Sequence, residues 1–146
     1  MTVRLGINGF GRIGRLVFRS SLLKPSIQVL SINDPFLDVD YLLYQLNYDS
    51  VHGHLKNEIK DVKIQKLSDN SFSINGREVF LTREKEILKI DWGKRGVDIV
   101  CESSGVFLKR EQCEHHLKAG NQTILLNFFP LTKNDFKFNP KELNKS

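Results

Sequence analysis

Between positions 9 and 14 the chain reads Gly9-Phe10-Gly11-Arg12-Ile13-Gly14, and an acid, Asp34, stands twenty residues beyond the last of these glycines. Residue types at this spacing can hold a dinucleotide. Gly9 permits a tight turn, Gly11 lets backbone approach a pyrophosphate, and Gly14 lets a following helix pack closely on its sheet. Unpaired N–H groups at the start of that helix, together with its dipole, would meet the phosphate charge. Asp34 would accept hydrogen bonds from adenosine ribose hydroxyls. Its charge would repel a 2′-phosphate, so NAD is expected over NADP. Glycines mark turns everywhere, and an aspartate before Pro35 is also a turn residue. What lifts the pattern above those plainer readings is its setting: a strand before it, a helix after it, a second strand, and the acid at that strand's end.

The elements that must position these residues follow from periodicity. Val3 to Ile7 is a short apolar run read as the first strand. Phe10 to Leu23 repeats apolar residues at helical spacing and is closed by Pro25. Ile27 to Ile32 reads as a second strand ending at Asn33-Asp34-Pro35, which completes a βαβ unit. Asp38 to Leu46 reads as a helix with Asp38 as N-cap. Glu58 to Lys66, Phe72 to Ile74 and Glu78 to Leu81 then read as strands, with turns at Ser68-Asp69-Asn70 and Asn75-Gly76. The α/β pattern resumes with a buried strand over Val97 to Cys101, a helix over Lys109 to Lys118 stopped by Gly120, and a strand over Thr123 to Leu126. The fold class is therefore α/β: a Rossmann-type, doubly wound, mainly parallel sheet with an inserted antiparallel hairpin region.

Composition excludes several classes. With 146 residues, 40% hydrophobic and 27% charged, the chain suits one ordinary globular domain rather than a disordered segment. Its two cysteines, Cys101 and Cys113, form no CxxC pair and give neither a disulfide framework nor a zinc site. Cys101 sits in an apolar run and reads as a small buried hydrophobe. The His52-Gly53-His54 spacing could suggest metal binding but is assigned no metal, and the adjacent His115 and His116 are rejected as ligands, since adjacent helical residues cannot share one face. No secretory signal or membrane span is visible, so a cytoplasmic location is expected. The net charge of +5 raises nucleic acid as a partner. The lysines are scattered rather than clustered with aromatics, which makes a merely basic surface the better reading.

The stretch Val3-Arg4-Leu5-Gly6-Ile7-Asn8-Gly9-Phe10-Gly11-Arg12-Ile13-Gly14-Arg15 resembles the phosphorylating, NAD-dependent glyceraldehyde-3-phosphate dehydrogenases. The resemblance continues through Ile32-Asn33-Asp34-Pro35-Phe36, Tyr48-Asp49-Ser50-Val51-His52-Gly53, Asn75-Gly76, Cys101-Glu102-Ser103-Ser104-Gly105-Val106-Phe107 and His116-Leu117-Lys118-Ala119-Gly120. It implies that Arg12 and Ile13 offer backbone N–H groups to the pyrophosphate and that Asp34 holds the ribose. Asn8, Asn33 and Pro35 would line the adenosine site. Lys85 stands where the family usually has an arginine beside the adenine. In the Ser103-Ser104-Gly105 turn Ser104 replaces the usual threonine, keeping a hydroxyl near the nicotinamide ribose, and Phe107 would help wall the cofactor.

The resemblance weakens at the other end. Where the family has Ser-Ala-Pro or a near equivalent, this chain reads Asn127-Phe128-Phe129-Pro130, with Asn127 at the serine position. The expected organisation is an NAD-binding domain over residues 1–130 and a divergent, loosely packed tail over 131–146, with the family's catalytic domain absent. The family's nucleophilic cysteine, in Ser-x-Cys-Thr-Thr-Asn, and its general-base histidine find no counterpart in these residues, so none is assigned a catalytic role. Such a chain would be inactive alone. It would hold NAD, associate with full-length dehydrogenase subunits, or, as the least favoured reading, bind nucleic acid through the cleft.

Overall fold

The computed structural model describes residues 1–49, 53–106, 112, 115, 116 and 118, and the backbone of 124–127. One seven-stranded sheet organises them in the order β3-β4-β5-β2-β1-β6-β7. The strands are β1 (Val3–Asn8), β2 (Ile27–Asn33), β3 (Ile64–Ser68), β4 (Ser71–Ile74), β5 (Arg77–Thr82), β6 (Ile99–Glu102) and β7 (Ile124–Asn127). Five of them, β5-β2-β1-β6-β7, run parallel, while β3-β4-β5 is an antiparallel meander at one edge. The chain starts in the middle at β1, winds outward through β2, then returns to the other side of β1 as β6. The carboxyl ends of β1 and β6 therefore mark a switch point, where open α/β sheets form their ligand crevice.

The expected α/β reading is realised, with one change of plan. The meander does not stand apart from the parallel sheet, because β5 pairs antiparallel with β4 on one side and parallel with β2 on the other. Its first strand is also shorter than the run from Glu58 suggests. Leu55–Glu58 forms a one-turn helix (α3), Asp61 adopts a positive φ of 58°, and extended pairing begins only at Ile64. The Asn75-Gly76 turn has the expected form, with φ of 50° and 80°, the pair of positive values a tight two-residue hairpin needs.

Helix α1 (Arg12–Leu22) connects β1 to β2, and α2 (Val39–Asn47) follows β2. Asp38 caps α2 as its residue type predicts, its side chain accepting from the Tyr41 N–H. One face of the sheet carries the main core, in which Leu5, Ile7, Val29, Ile32, Phe72 and Cys101 pack with Phe10, Phe18 and Leu42. The opposite face carries a smaller cluster of Ile90, Trp92, Val97 and Val100 against Leu30. The alternation along β6 decides the sides, with Ile99 and Cys101 facing the main core and Val100 the smaller cluster. Gly6 is what admits Trp92. A Cβ there would lie 2.7 Å from the indole, so the ring lies where a side chain would otherwise stand. The helix expected over Lys109 to Lys118 lies largely outside the described residues, though Gln112, His115, His116 and Lys118 are helical. Residues 131–146 lie outside them altogether.

Candidate cofactor-binding site

A cleft of about 310 Å³ opens at the carboxyl ends of the central strands. Its lining includes Asn8, Gly9 and Gly11 from the β1–α1 turn, Asn33, Asp34 and Pro35 after β2, Lys85 after β5, and Ser103 and Ser104 after β6. Four strand ends thus bring together most of the residues singled out from sequence.

The glycines divide their work by geometry. Gly9 has a φ of 90°, and a Cβ there would meet the Ser104 Cα at 2.4 Å. At Gly14 a Cβ would lie 2.1 Å from the Gly9 carbonyl oxygen, so the first turn of α1 sits directly against the preceding loop. Gly11 differs: a Cβ there would meet nothing within 4 Å. Its absent side chain leaves space open at the mouth of the cleft, not in the packing. Helix α1 starts from Gly11 with no side-chain cap and no acid in its first turn. Its initial N–H groups thus carry the positive end of the helix dipole with no acid of the helix's own first turn beside them.

Asp34 is half-buried, and both oxygens take part in shaping the loop. Oδ2 accepts from the Phe10 N–H at 2.9 Å, and Oδ1 accepts from the Phe36 N–H at 2.9 Å. The carboxylate is thereby held at the tip of β2 with lone pairs left for a ligand. Phe10 itself points into the core, meeting Phe18 edge-on at 5.8 Å, so only its backbone belongs to the site. Lys85 is exposed on the cleft wall. Arg12 is exposed, Ile13 half-buried, and Gly105 exposed with a φ of 73°. Phe107 lies outside the described residues, and of Asn127 only the backbone is described, paired with Glu102.

Asn8 and Asn33 are buried, and their amides are taken up by the protein. Asn33 Nδ2 donates to Asn8 Oδ1 at 2.8 Å and to the Glu84 carbonyl at 3.0 Å. Its Oδ1 accepts from Thr82 Oγ1 and from the Glu84 N–H. Asn8 Nδ2 donates in turn to Glu102 Oε2 at 2.8 Å. These two side chains form the floor of the cleft and tie neighbouring strand ends together.

Sequence reading missed the far end of that floor. Glu102 is buried, and every group that faces it in these bonds is a donor: Asn8 Nδ2 and His116 Nε2 at Oε2, and the Ser104 N–H and hydroxyl at Oε1. Burial pushes its carboxyl up, but the hydrogen bonds from His116, Asn8 and Ser104 together hold it below the usual value. His116 reads from the sequence as a rejected metal ligand and as part of the family resemblance, with no role in the cleft. It is fully buried, and its Nδ1 accepts from the Trp92 indole N–H at 3.0 Å. An acid closing an apolar strand at the crevice end of a parallel sheet was the available signal for Glu102. Trp92 and His116 carried none, because their meeting depends on Gly6 and on the packing of the sheet's second face. Arg83 was likewise missed; it ties the Asp69-Asn70 turn to the Leu37 carbonyl, bracing the loop that carries Asp34.

Cys101 is buried as expected, its thiol pushed up to about 12 by burial, against a hydrogen bond with Ser103 and with a further push from the Glu102 charge. No helix among the described residues is long and apolar enough to cross a membrane.

A mainly parallel sheet, a glycine turn opening a helix, and an acid at the tip of the neighbouring strand define a nucleotide-binding domain of the Rossmann class. Comparison places it more narrowly. The profile of the family described as glyceraldehyde 3-phosphate dehydrogenase, NAD binding domain, matches residues 3–110. The chain is 46% identical over 125 residues to glyceraldehyde-3-phosphate dehydrogenase of Lyophyllum shimeji, covering 86% of this chain and 35% of that protein. It is 40% identical over 127 residues to the enzyme of that name from Coccidioides immitis, covering 87% and 36%. Glyceraldehyde-3-phosphate dehydrogenase 1 of Kluyveromyces lactis is 42% identical over 124 residues, covering 85% and 36%. The chain belongs to the family of glyceraldehyde-3-phosphate dehydrogenase NAD-binding domains, and NAD is its cofactor. It spans about a third of the length of the relatives it matches.

Proposed function

We propose that these residues hold NAD for a glycolytic, phosphorylating glyceraldehyde-3-phosphate dehydrogenase, with the pyrophosphate over Gly11 and the start of α1. The observation that carries this reading is the contrast among the three glycines. Gly9 and Gly14 are required by contacts inside the protein, whereas Gly11 is bounded by open space where a phosphate can approach backbone. Arg12 and Ile13 N–H groups would meet the phosphates, and Asp34 would accept from the adenosine ribose hydroxyls. Pro35 and Lys85 would border the adenine end. Ser103, Ser104 and Gly105 would border the nicotinamide end, to which the family resemblance also assigns Phe107 and Asn127. NAD supplies hydride acceptance when bound, and this chain's own residues bind and orient it.

Covalent chemistry on the substrate needs an accessible thiolate, and Cys101 does not qualify, since burial keeps it protonated. The 146 residues expressed alone are therefore expected to bind NAD without oxidising glyceraldehyde 3-phosphate. Calorimetric titration tests the first part. Heat that saturates with NAD and is much weaker with NADP supports the reading, and no binding at millimolar NAD refutes it. NADH formation by the purified chain that disappears in Cys101→Ser or in Cys113→Ser would refute the second part.

A second reading, association with full-length dehydrogenase subunits, is favoured by a strip of tyrosines along α2 and its C-cap. Tyr41, Tyr44 and Tyr48 are each more than half exposed, and their rings run side by side to His54. Tyrosine offers large contact area at low entropic cost and is enriched at protein interfaces. Co-purification with a tagged full-length subunit, lost when Tyr44 and Tyr48 become serine, is the expected result.

A further inference from the structure

The hydrogen bonds beneath the cleft form one lateral chain. It runs from Thr82 and Glu84 through Asn33, Asn8 and Glu102 to His116 and Trp92, crossing the ends of β5, β2, β1 and β6. Its polarity is fixed from one end. The indole N–H of Trp92 can only donate, so His116 Nδ1 must accept and carries no proton. The imidazole is then the neutral Nε2–H tautomer, and it donates to Glu102 Oε2 at 2.5 Å. Glu102 receives four donors on two oxygens, which only a carboxylate can satisfy; an amide would turn an NH2 against two of them.

Resting on the NAD reading above, we infer that Glu102 and His116 are positioning residues for the cofactor. By fixing Asn8 on one lip and Ser104 on the other, they set the spacing of the β1–α1 turn and the Ser103-Ser104 turn across the cleft. Ser103 completes the link, its hydroxyl reaching the Asn8 and Gly9 carbonyl oxygens at 3.1 and 2.8 Å. Neither Glu102 nor His116 lines the cleft itself. Their effect on NAD is indirect, through the backbone and hydroxyl that they hold.

The test combines imidazole nitrogen NMR with NAD calorimetry on the full 146-residue chain. His116 is expected to report a neutral Nε2–H ring in the parent. In Trp92→Phe, which keeps an aromatic ring and removes the donor, Glu102 still holds the proton at Nε2, and the Nδ1 resonance should shift as it loses the indole N–H. Glu102→Gln and His116→Leu should bind NAD roughly five- to a hundred-fold more weakly, the factor an unsatisfied buried donor or acceptor implies. His116→Gln, which retains a donor for Glu102, should recover most of that loss. Val62→Ala, in the core beside the meander, supplies a destabilised control that binds NAD as the parent does. Parental affinity in both Glu102→Gln and His116→Leu would overturn the inference, as would an Nδ1–H tautomer in the parent. If His116→Leu does not fold, the tautomer of the parent and the NAD affinity of Glu102→Gln still decide, an unchanged affinity there counting against. A parent that binds no NAD would instead refute the cofactor reading, and the NMR result would separately decide whether the chain of bonds exists.

Discussion

The two lips of the cleft are held by opposite means. The lip formed by the β1–α1 turn is built by removing side chains, so that backbone meets backbone at Gly9 and Gly14. The lip formed by Ser103 and Ser104 is built by adding them, with a buried carboxylate, an imidazole and an indole behind the turn. The first device is written locally in sequence, in the spacing of the glycines, although Gly9 makes its room for the Ser104 backbone, and it leaves no polar side chain that needs a partner. The second bonds residues up to 95 positions apart and depends on every donor finding its acceptor. One lip should therefore fail by steric clash, and the other by loss of hydrogen bonds or of charge.

The glycine lip offers the largest expected effect. Gly14→Ala places a methyl group 2.1 Å from the Gly9 carbonyl oxygen, where backbone must yield on one side or the other. We expect a loss of about 3 kcal/mol or more of stability, together with loss of NAD binding, as overpacking against backbone implies. Gly9→Ala should behave alike, with a positive φ added to its clash. Thermal unfolding and calorimetry measure both. A Gly14→Ala chain that unfolds with the parent would show that the turn has slack.

Two further changes, one at this lip and one at the neighbouring tip of β2, should strike binding harder than the fold. Gly11→Ala meets nothing within 4 Å, so its unfolding midpoint should match the parent while NAD affinity falls. Asp34→Ala removes a charge-assisted acceptor, which weakens NAD by roughly ten- to a hundred-fold and narrows its advantage over NADP. If the ratio of NAD to NADP affinity stays at the parental value, Asp34 is not the ribose acid.

The polar lip should instead respond to acid. The carboxyl of Glu102 is held below its usual 4.5 despite burial, so the folded state binds its proton more weakly than the unfolded chain does. That stabilisation is complete above the unfolded value and is lost as pH falls through the lower folded one. Asp98, lowered chiefly by its hydrogen bond from Arg4, acts in the same direction at the surface. Unfolding midpoints measured from neutral pH downward should drop below about pH 4.5, and Glu102→Gln should flatten part of that descent. An unchanged acid limb in that variant would detach Glu102 from the stability of this lip.

This contrast also explains what sequence could reveal. A lip made of glycines announces itself, since three of them at fixed spacing after an apolar run have few other uses. Asp34 and the Asn75-Gly76 hairpin were legible for the same reason, each being a local conformational signal. Ser103 and Ser104 were reached only through family resemblance. What holds them was not legible, because Trp92 meets His116 only where Gly6 leaves space on the sheet's second face. The start of β3 was misjudged because a turn with a positive φ at Asp61 interrupts a run that alternates like a strand. Asn8 and Asn33 were legible as cleft residues, but their role as ties between strand ends required the sheet order.

The smallest expected effect comes from a glycine outside both lips, and it separates conformational need from ligand access. Gly76 has a φ of 80° in the β4–β5 turn, and a Cβ there would touch nothing within 4 Å. Gly76→Ala therefore meets no clash, and its cost is that of holding a residue with a Cβ in the left-handed region, about 1 kcal/mol. The turn is already defined by Asn75, whose N–H donates to the Lys63 carbonyl and whose Oδ1 accepts from the Lys63 N–H. It also lies at the end of β4 away from the cleft. The cleft end is the Asp69-Asn70 turn, which Arg83 links to Leu37. Gly76→Ala should accordingly lower the urea midpoint slightly and leave NAD affinity unchanged. A fall in affinity would mean that strain travels along β5 into β2 and the Asp34 loop, which would make the meander part of the site. An unchanged midpoint would mean that the hairpin relaxes into another turn, and that its glycine, unlike those at 9 and 14, is not required by the fold.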